Sequence, residues 1–188
     1  MKVVKFNYRE IVDEIIENMD LKDSCCLDCT CGNGKDSLNI LSHMDGSGFL
    51  YCCDLQKQAV ENTERLLKSK EFENFKMMHK SHDEIFDEIP CKLKLIIYNL
   101  GYLPGSDKSI ATKASTTIKS IDRAILKLRE DGVIIVVSYL GHQGSHEERK
   151  AVDEYLKNLD QQKYKVEKRE FYNQKNNPPI VYLIGGRT

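Results

Sequence analysis

The sequence predicts a doubly wound α/β domain: a seven-stranded, mostly parallel sheet with an antiparallel last strand and helices on both faces. Three observations predict it. Short apolar runs alternate with amphipathic helical stretches along the chain, the pattern of βα units joined by right-handed crossovers. The last two apolar runs are separated only by YNQKNNPP, which is too short for a crossover helix, so the final strand turns back on its neighbour. A glycine-containing turn follows the first strand and an acidic residue closes the second, placing ligand chemistry at the carboxyl ends of the strands.

Each element follows from local pattern. Residues 8–19 place Ile11, Ile15, Ile16 and Met19 on one stripe and read as a helix. SCCLDC (24–29) is the first strand, and a helix spans 35–44. GFLYCCD (48–54) is the second strand, and QKQAVENTERLLKSK (56–70) is a strongly patterned helix. FKMMHKS (75–81) is the third strand, followed by a short helix near 82–88. LKLIIYN (93–99) is the fourth. A long helix over 113–129 ends just before Asp131-Gly132, and GVIIVVSY (132–139) is the fifth strand. A helix spans 146–159. KYKVEKREF (163–171) and PIVYLIGG (179–186) close the sheet as a hairpin. The whole chain, 1–188, reads as one domain.

Composition narrows the function. The 40% hydrophobic and 30% charged residues suit a soluble globular protein, and the formal net charge of −1 leaves no global nucleic-acid footprint. The N-terminus MKVVKFNYREIVDE is too polar for a signal peptide, and GVIIVV, the longest strongly apolar run, cannot span a bilayer; no membrane partner and a cytoplasmic location are expected. The cysteines number seven and include two adjacent pairs, which point to opposite faces of a strand. They do not read as a disulfide framework, and a reducing compartment fits better. Cys26-x-x-Cys29 invites a zinc or redox reading, but Cys26 lies in a strand and no second CxxC exists. Buried small hydrophobes are the preferred reading, with no metal site.

The strand-end loops at the ligand edge are 28–36, 54–57, 80–84, 99–112, 139–147 and 171–179. In the first, the Gly32-Asn33-Gly34 turn lets the backbone approach a ligand and leads into a helix N-terminus. Asp54, twenty-two residues after Gly32, is placed to accept from both hydroxyls of a ribose. A dinucleotide fingerprint needs a third glycine where Ser37 stands, so that motif fails. Asp28 and Asp36 would repel a pyrophosphate but suit a cationic sulfonium, which favours S-adenosylmethionine (SAM) over NAD. Gln56 is placed near the adenosine. In KSHDE (80–84), Ser81 and His82 are candidate adenine ligands, although Ser81 or Asp83 could equally cap a following helix.

NLGYLPGSDKS (99–109) leaves the fourth strand at the same edge. Asn99 is a candidate to accept a hydrogen from an acceptor amine, Gly101 to allow close approach, and Tyr102 to stack on an extruded base. Burial would favour the neutral, nucleophilic amine, so positioning can suffice without a dedicated base. If a base exists, His142 is the candidate. Residues 101–129 hold six basic residues against two acidic ones, beginning with Lys108 and Lys113, which makes a candidate RNA-backbone strip. Asn173, Gln174 and Asn176 on the last edge loop could read base edges or sugar hydroxyls.

Five parallel βα units closed by a hairpin resemble the Rossmann-like class I SAM-dependent methyltransferases. More specifically, DCTCGNGKD, CDLQKQAVENT, HKSHD, NLGYLPGSDKSI, GH at 141–142 and NQKNNPP resemble the MnmM/YtqB-like family of bacterial rRNA-methylase-like proteins. The resemblance implies methylation of the primary amine of 5-aminomethyl-2-thiouridine at the tRNA wobble position, with the tRNA anticodon region as partner. Crowded cysteines in the first loop and Leu140 before Gly141-His142 depart from the family pattern, the second leaving that position's role open. An rRNA methyltransferase and a small-molecule N-methyltransferase are the alternatives, and a SAM-binding protein without catalysis a further one. A homodimer would help a small, near-neutral protein hold a large RNA.

Overall fold

The computed structural model describes residues 4–101, 112–140 and 144–186. Its seven strands are β1 (Cys25–Asp28), β2 (Phe49–Asp54), β3 (Phe75–His79), β4 (Leu93–Leu100), β5 (Leu128–Ser138), β6 (Tyr164–Arg169) and β7 (Ile180–Gly186). They form one sheet in the order β3-β2-β1-β4-β5-β7-β6. β7 runs antiparallel to both its neighbours, and the other pairings are parallel. The order reverses between β1 and β4, so the crevice for a ligand opens above the carboxyl ends of those two strands.

Helices cover both faces, and the strand residues divide between them. On one face, Ile11, Val12 and Ile16 of α1 (Tyr8–Glu17) join Ile40 and Leu41 of α2 (Lys35–Ser42) and Leu67 of α3 (Lys57–Ser69). These pack on Cys26, Leu50, Cys52, Leu95, Ile97, Ile135 and Val137. On the other face, Ile121, Ala124 and Ile125 of α4 (Ala114–Lys127) and Val152 and Leu156 of α5 (Ser145–Lys157) pack on Leu27, Cys53, Ile96, Tyr98, Ile134 and Val136. The Asn7 side chain caps α1 by accepting from the Glu10 amide at 3.1 Å, which fixes where the helix begins at the ligand edge.

Three local expectations need correction. The helix expected near 82–88 is only a three-residue 3-10 turn at Phe86–Glu88, because Ser81 and Asp83 bond each other across a tight turn. β5 begins at Leu128 rather than Gly132: the strand continues through Asp131-Gly132, with a register irregularity where Leu93 pairs Leu128 and Leu95 pairs Val133. A Cβ at Gly132 would lie 2.9 Å from the Leu93 carbonyl oxygen, so only glycine permits that approach. Cys25 is not simply a buried apolar residue but forms a disulfide with Cys91. The reason is register: Cys25 pairs beside Leu93 on β4, which brings the residue two before Leu93 within reach. Cys26, Cys29, Cys31, Cys52 and Cys53 are buried and free.

Candidate active site

Asp28 ends β1 and is 1% exposed. It accepts from the Ser37 hydroxyl at 2.6 Å and from the Thr30 amide at 3.2 Å, bracing the first loop from beneath. Burial pushes its carboxyl up to about 7, and the nearby Asp36 and Asp54 add to the shift. Above it, Gly32 and Gly34 take left-handed backbone angles, φ 52° and 77°. Gly34 fits tightly, since a Cβ there would lie 3.1 Å from Thr63 Cα. The Gly32 amide donates to Asp54 Oδ2 at 3.0 Å and the Gln56 amide to Asp54 Oδ1 at 2.9 Å. Burial holds the Asp54 carboxyl above its ordinary value despite those two donors. Asn33 is exposed on the loop and accepts from Asn62 at 3.2 Å.

Asn99 lies one residue before the end of β4 and joins four elements. Its amide N–H donates to Thr30 Oγ1 at 2.7 Å, tying β4 to the first loop. Its side-chain nitrogen donates to Asp36 Oδ2 at 2.7 Å, and its side-chain oxygen accepts from the Tyr139 hydroxyl at 3.1 Å. Asp36 also accepts from Arg9, at 3.0 Å, across from the first turn of α1. Tyr8 closes the network edge-on against Tyr139, with ring centroids 5.2 Å apart. Burial pushes the Tyr139 hydroxyl up, so it remains a donor. The Asn99 amide is thus held with its nitrogen toward Asp36 and its oxygen toward the Tyr139 hydroxyl.

Sequence reasoning missed Arg9, Tyr8, Tyr139 and Thr30. Tyr139 directly follows β5 in a loop already assigned to the ligand edge, a signal that was available. Arg9 had none, because the stripe of α1 reports its buried face rather than the reach of its first turn. Tyr102, Lys108 and His142 lie outside the described residues. Gly101 is described: its carbonyl accepts from the Thr112 amide at 3.0 Å, and Thr112 and Thr117 both donate to the buried Glu148 of α5, at 2.8 Å and 2.7 Å.

His82 is 7% exposed, and its Nδ1 has no partner among the described residues. Burial lowers its imidazole to about 4, so the ring is neutral near pH 7. Ser81, beside it, donates to Asp83, which Lys119 holds at 2.7 Å. Lys113 is exposed at the start of α4. The remainder of the basic stretch does not form one strip at this edge, because α4 descends antiparallel to the strands. Arg123 pairs with Asp87, Lys127 bonds the Ile89 carbonyl, and Arg129 bonds Ser24 and Asp131 at the opposite edge. Asn173, Gln174 and Asn176 are exposed in the connection between β6 and β7, at the carboxyl edge.

The donor set fits a cationic nucleoside ligand. Three acidic side chains, of which Asp36 and Asp54 raise the buried Asp28, with no pyrophosphate-binding third glycine, suit a sulfonium and reject a diphosphate. The left-handed glycine turn, the Asp54 carboxylate and the unpartnered His82 Nδ1 supply contacts for its other parts. Among the described residues, no cluster of three or more His, Cys, Asp or Glu is arranged around a common point for a metal, and no helix is long and apolar enough to cross a membrane.

Comparison with known proteins bears on this site. Residues 50–185 match the family described as "Putative rRNA methylase". An Arabidopsis thaliana protein named tRNA (mnm(5)s(2)U34)-methyltransferase, chloroplastic, is 32% identical over 186 residues, covering 93% of this chain and 68% of the plant protein. A Clostridium thermocellum crystal structure described in the family's terms superposes with a TM-score of 0.95 at 32% identity, covering 98% of this chain and 100% of the other. A Streptococcus mutans protein, described as "a putative methyltransferase" and solved in complex with SAH, gives 0.89 at 29% identity, with 98% and 100% covered.

Proposed function

The chain belongs to this rRNA-methylase family of class I SAM-dependent methyltransferases, and from that premise we propose that it methylates the amine of 5-aminomethyl-2-thiouridine at the tRNA wobble position. The product is 5-methylaminomethyl-2-thiouridine. The observation that carries the reading is the Asn99 amide, held on both sides by Asp36 and Tyr139 at the carboxyl edge of the sheet. The name of the Arabidopsis relative supports the choice of acceptor. A single chain of 188 residues carries all the groups invoked.

When bound, SAM supplies an electrophilic methyl group on a sulfonium, open to in-line displacement by an amine lone pair. The Gly32-Asn33-Gly34 loop, Asp54 and Gln56 would hold its ribose side and Ser81 and His82 its adenine, with Asp28 beneath the loop. The residues of the chain then act on the acceptor. A primary aminomethyl group is mostly protonated near neutral pH, and a partly buried site favours its neutral form. One lone pair of Asn99 Oδ1 accepts from Tyr139, leaving the other to accept an amine hydrogen and aim the nitrogen lone pair. Were the amide reversed, its NH2 would meet that lone pair and block attack. Asp36 prevents the reversal, because its carboxylate accepts only from the NH2 end, and Arg9 keeps Asp36 in place. Orientation of this kind needs no general base. Gly101, Lys113, Asn173, Gln174 and Asn176 are the proposed RNA contacts, together with Lys108 and Tyr102 from the sequence.

The test is to incubate the protein with SAM and tRNA bearing 5-aminomethyl-2-thiouridine and to analyse the nucleosides by mass spectrometry. The methylaminomethyl nucleoside is expected. SAM binding without that product would reject the wobble reading, and methylated rRNA or a methylated small amine in its place would identify the acceptor class.

A further inference from the structure

Two chain segments far apart in sequence meet at the carboxyl edge and expose aromatic rings there. Tyr172, in the connection between β6 and β7, is 100% exposed. Phe6, just before α1, is 68% exposed. Gln174 Nε2 donates to the Phe6 carbonyl at 3.5 Å, which ties the two segments together. The fold sets this pair next to the reaction centre. Ile180, at the start of β7, pairs with Ser138 at the end of β5, so the connection ending there sits beside Tyr139. Tyr8, two residues after Phe6, packs against the same Tyr139, which bonds Asn99.

A tyrosine ring left wholly in water gains none of the stabilisation that burial would give it. Scattered exposed apolar residues need no explanation, but here the neighbours share one chemistry. Asn173, Gln174, Asn176 and Asn177 offer amide donors and acceptors, and Lys175 and Lys113 are exposed cations on the same edge. Rings flanked by amides and lysines suit unpaired nucleobases: the rings stack on base faces, the amides bond base edges, and the lysines meet phosphates. A protein partner would call for a larger apolar patch and fewer free amides.

We propose that Tyr172 and Phe6 form a stacking platform for unpaired bases flanking the acceptor nucleotide, so that the substrate is recognised as a single-stranded RNA loop rather than as an isolated amine. This deepens the wobble reading and rests on it for the identity of the loop. It also separates an RNA enzyme from a small-molecule one, because a free amine would gain nothing from rings outside the reaction centre.

The test measures RNA binding apart from methyl transfer. Binding of a fluorescent anticodon stem-loop is followed by anisotropy for wild type, Tyr172→Ala, Phe6→Ala, the double variant and Tyr172→Phe, with SAM affinity by calorimetry as the folding control. Each alanine should weaken stem-loop binding about 5- to 150-fold and raise KM for tRNA in parallel, while SAM affinity holds. Tyr172→Phe should restore binding, since the ring and not the hydroxyl is used. Equal stem-loop affinity in wild type and the double variant would overturn the platform even if the wild type methylates tRNA. Ring-dependent stem-loop binding without a methylaminomethyl product would keep the platform and reject the wobble reading. A change in oligomeric mass with RNA affinity unchanged would also overturn the platform and assign the rings to contact between copies.

Discussion

Replacing Asp28 by asparagine isolates one buried charge and turns it into a stability measurement. The Asp28 carboxyl sits under the glycine loop at 1% exposure, raised to about 7 chiefly by burial, against about 3.9 in an unfolded chain. Between pH 4 and 7 the folded protein therefore holds a proton that the unfolded chain has released. The folded state binds more protons there, so its stability falls as pH rises through that window. Below pH 4 both states are protonated and the penalty is absent; above pH 7 it is fully present. A difference of about three pKa units corresponds to about 4 kcal/mol. For a chain of this size that amounts to about 8–16 °C in Tm across the window. The asparagine side chain of the variant cannot ionise. It keeps one oxygen for Ser37 or Thr30 and loses the other, a pH-independent cost of about 1 kcal/mol. Thermal unfolding of the ligand-free protein from pH 4.5 to 8.5, by circular dichroism or calorimetry, should show the variant gaining on wild type as pH rises. A cation bound beside Asp28 and Asp54 would lower the Asp28 pKa, so saturating SAM should flatten the wild-type slope more than that of the variant. Parallel Tm curves for the two proteins without ligand would refute the reasoning.

Three further outcomes are expected. Asp54→Ala removes the acceptor for the Gly32 and Gln56 amides and should abolish SAM binding by calorimetry, whereas Asn99→Ala should bind SAM and lose about 100-fold in kcat; retained affinity in the first variant would remove Asp54 from the cofactor site. Asp36→Asn presents an amide to donors that now meet a carboxylate, and the weaker hold on Asn99 should lower kcat about tenfold with little change in SAM affinity. Lost SAM affinity with kcat intact would return Asp36 to the cofactor. Gly34→Ala puts a side chain at φ 77° and 3.1 Å from Thr63 Cα, and should cost at least about 1–2 kcal/mol, lowering Tm by about 2–8 °C.

The strands are legible in the sequence because both faces of this sheet are covered, so core strands read as nearly continuous apolar runs. Gly32 and Asp54 are legible as a spacing, and the spacing becomes a single 3.0 Å bond. What the pattern does not carry is which distant residues meet. Arg9 reaches Asp36 across 27 positions, from a helix whose periodicity reports only its core face. Cys25 finds Cys91 through strand register, which a list of cysteine spacings does not contain. The basic residues after position 112 sum to a positive stretch, yet α4 carries them from one edge of the sheet to the other, where acids and carbonyls take them up.

Asn99 sits near the end of β4, and the fold changes what its amide can do. In the sequence it is an amide at the end of a strand, free to present either end to an acceptor. In the fold its nitrogen faces Asp36 and its oxygen faces Tyr139, so only one direction of acceptance remains. That constraint depends on α1, which precedes every element of the sheet and lies outside the glycine loop. Helix α1 thus holds the Asn99 amide through Asp36, the residue that ends the first loop. Loosening Arg9 should degrade the chemical step while leaving the cofactor turn intact, whereas loosening Thr63 or Gly34 should do the reverse.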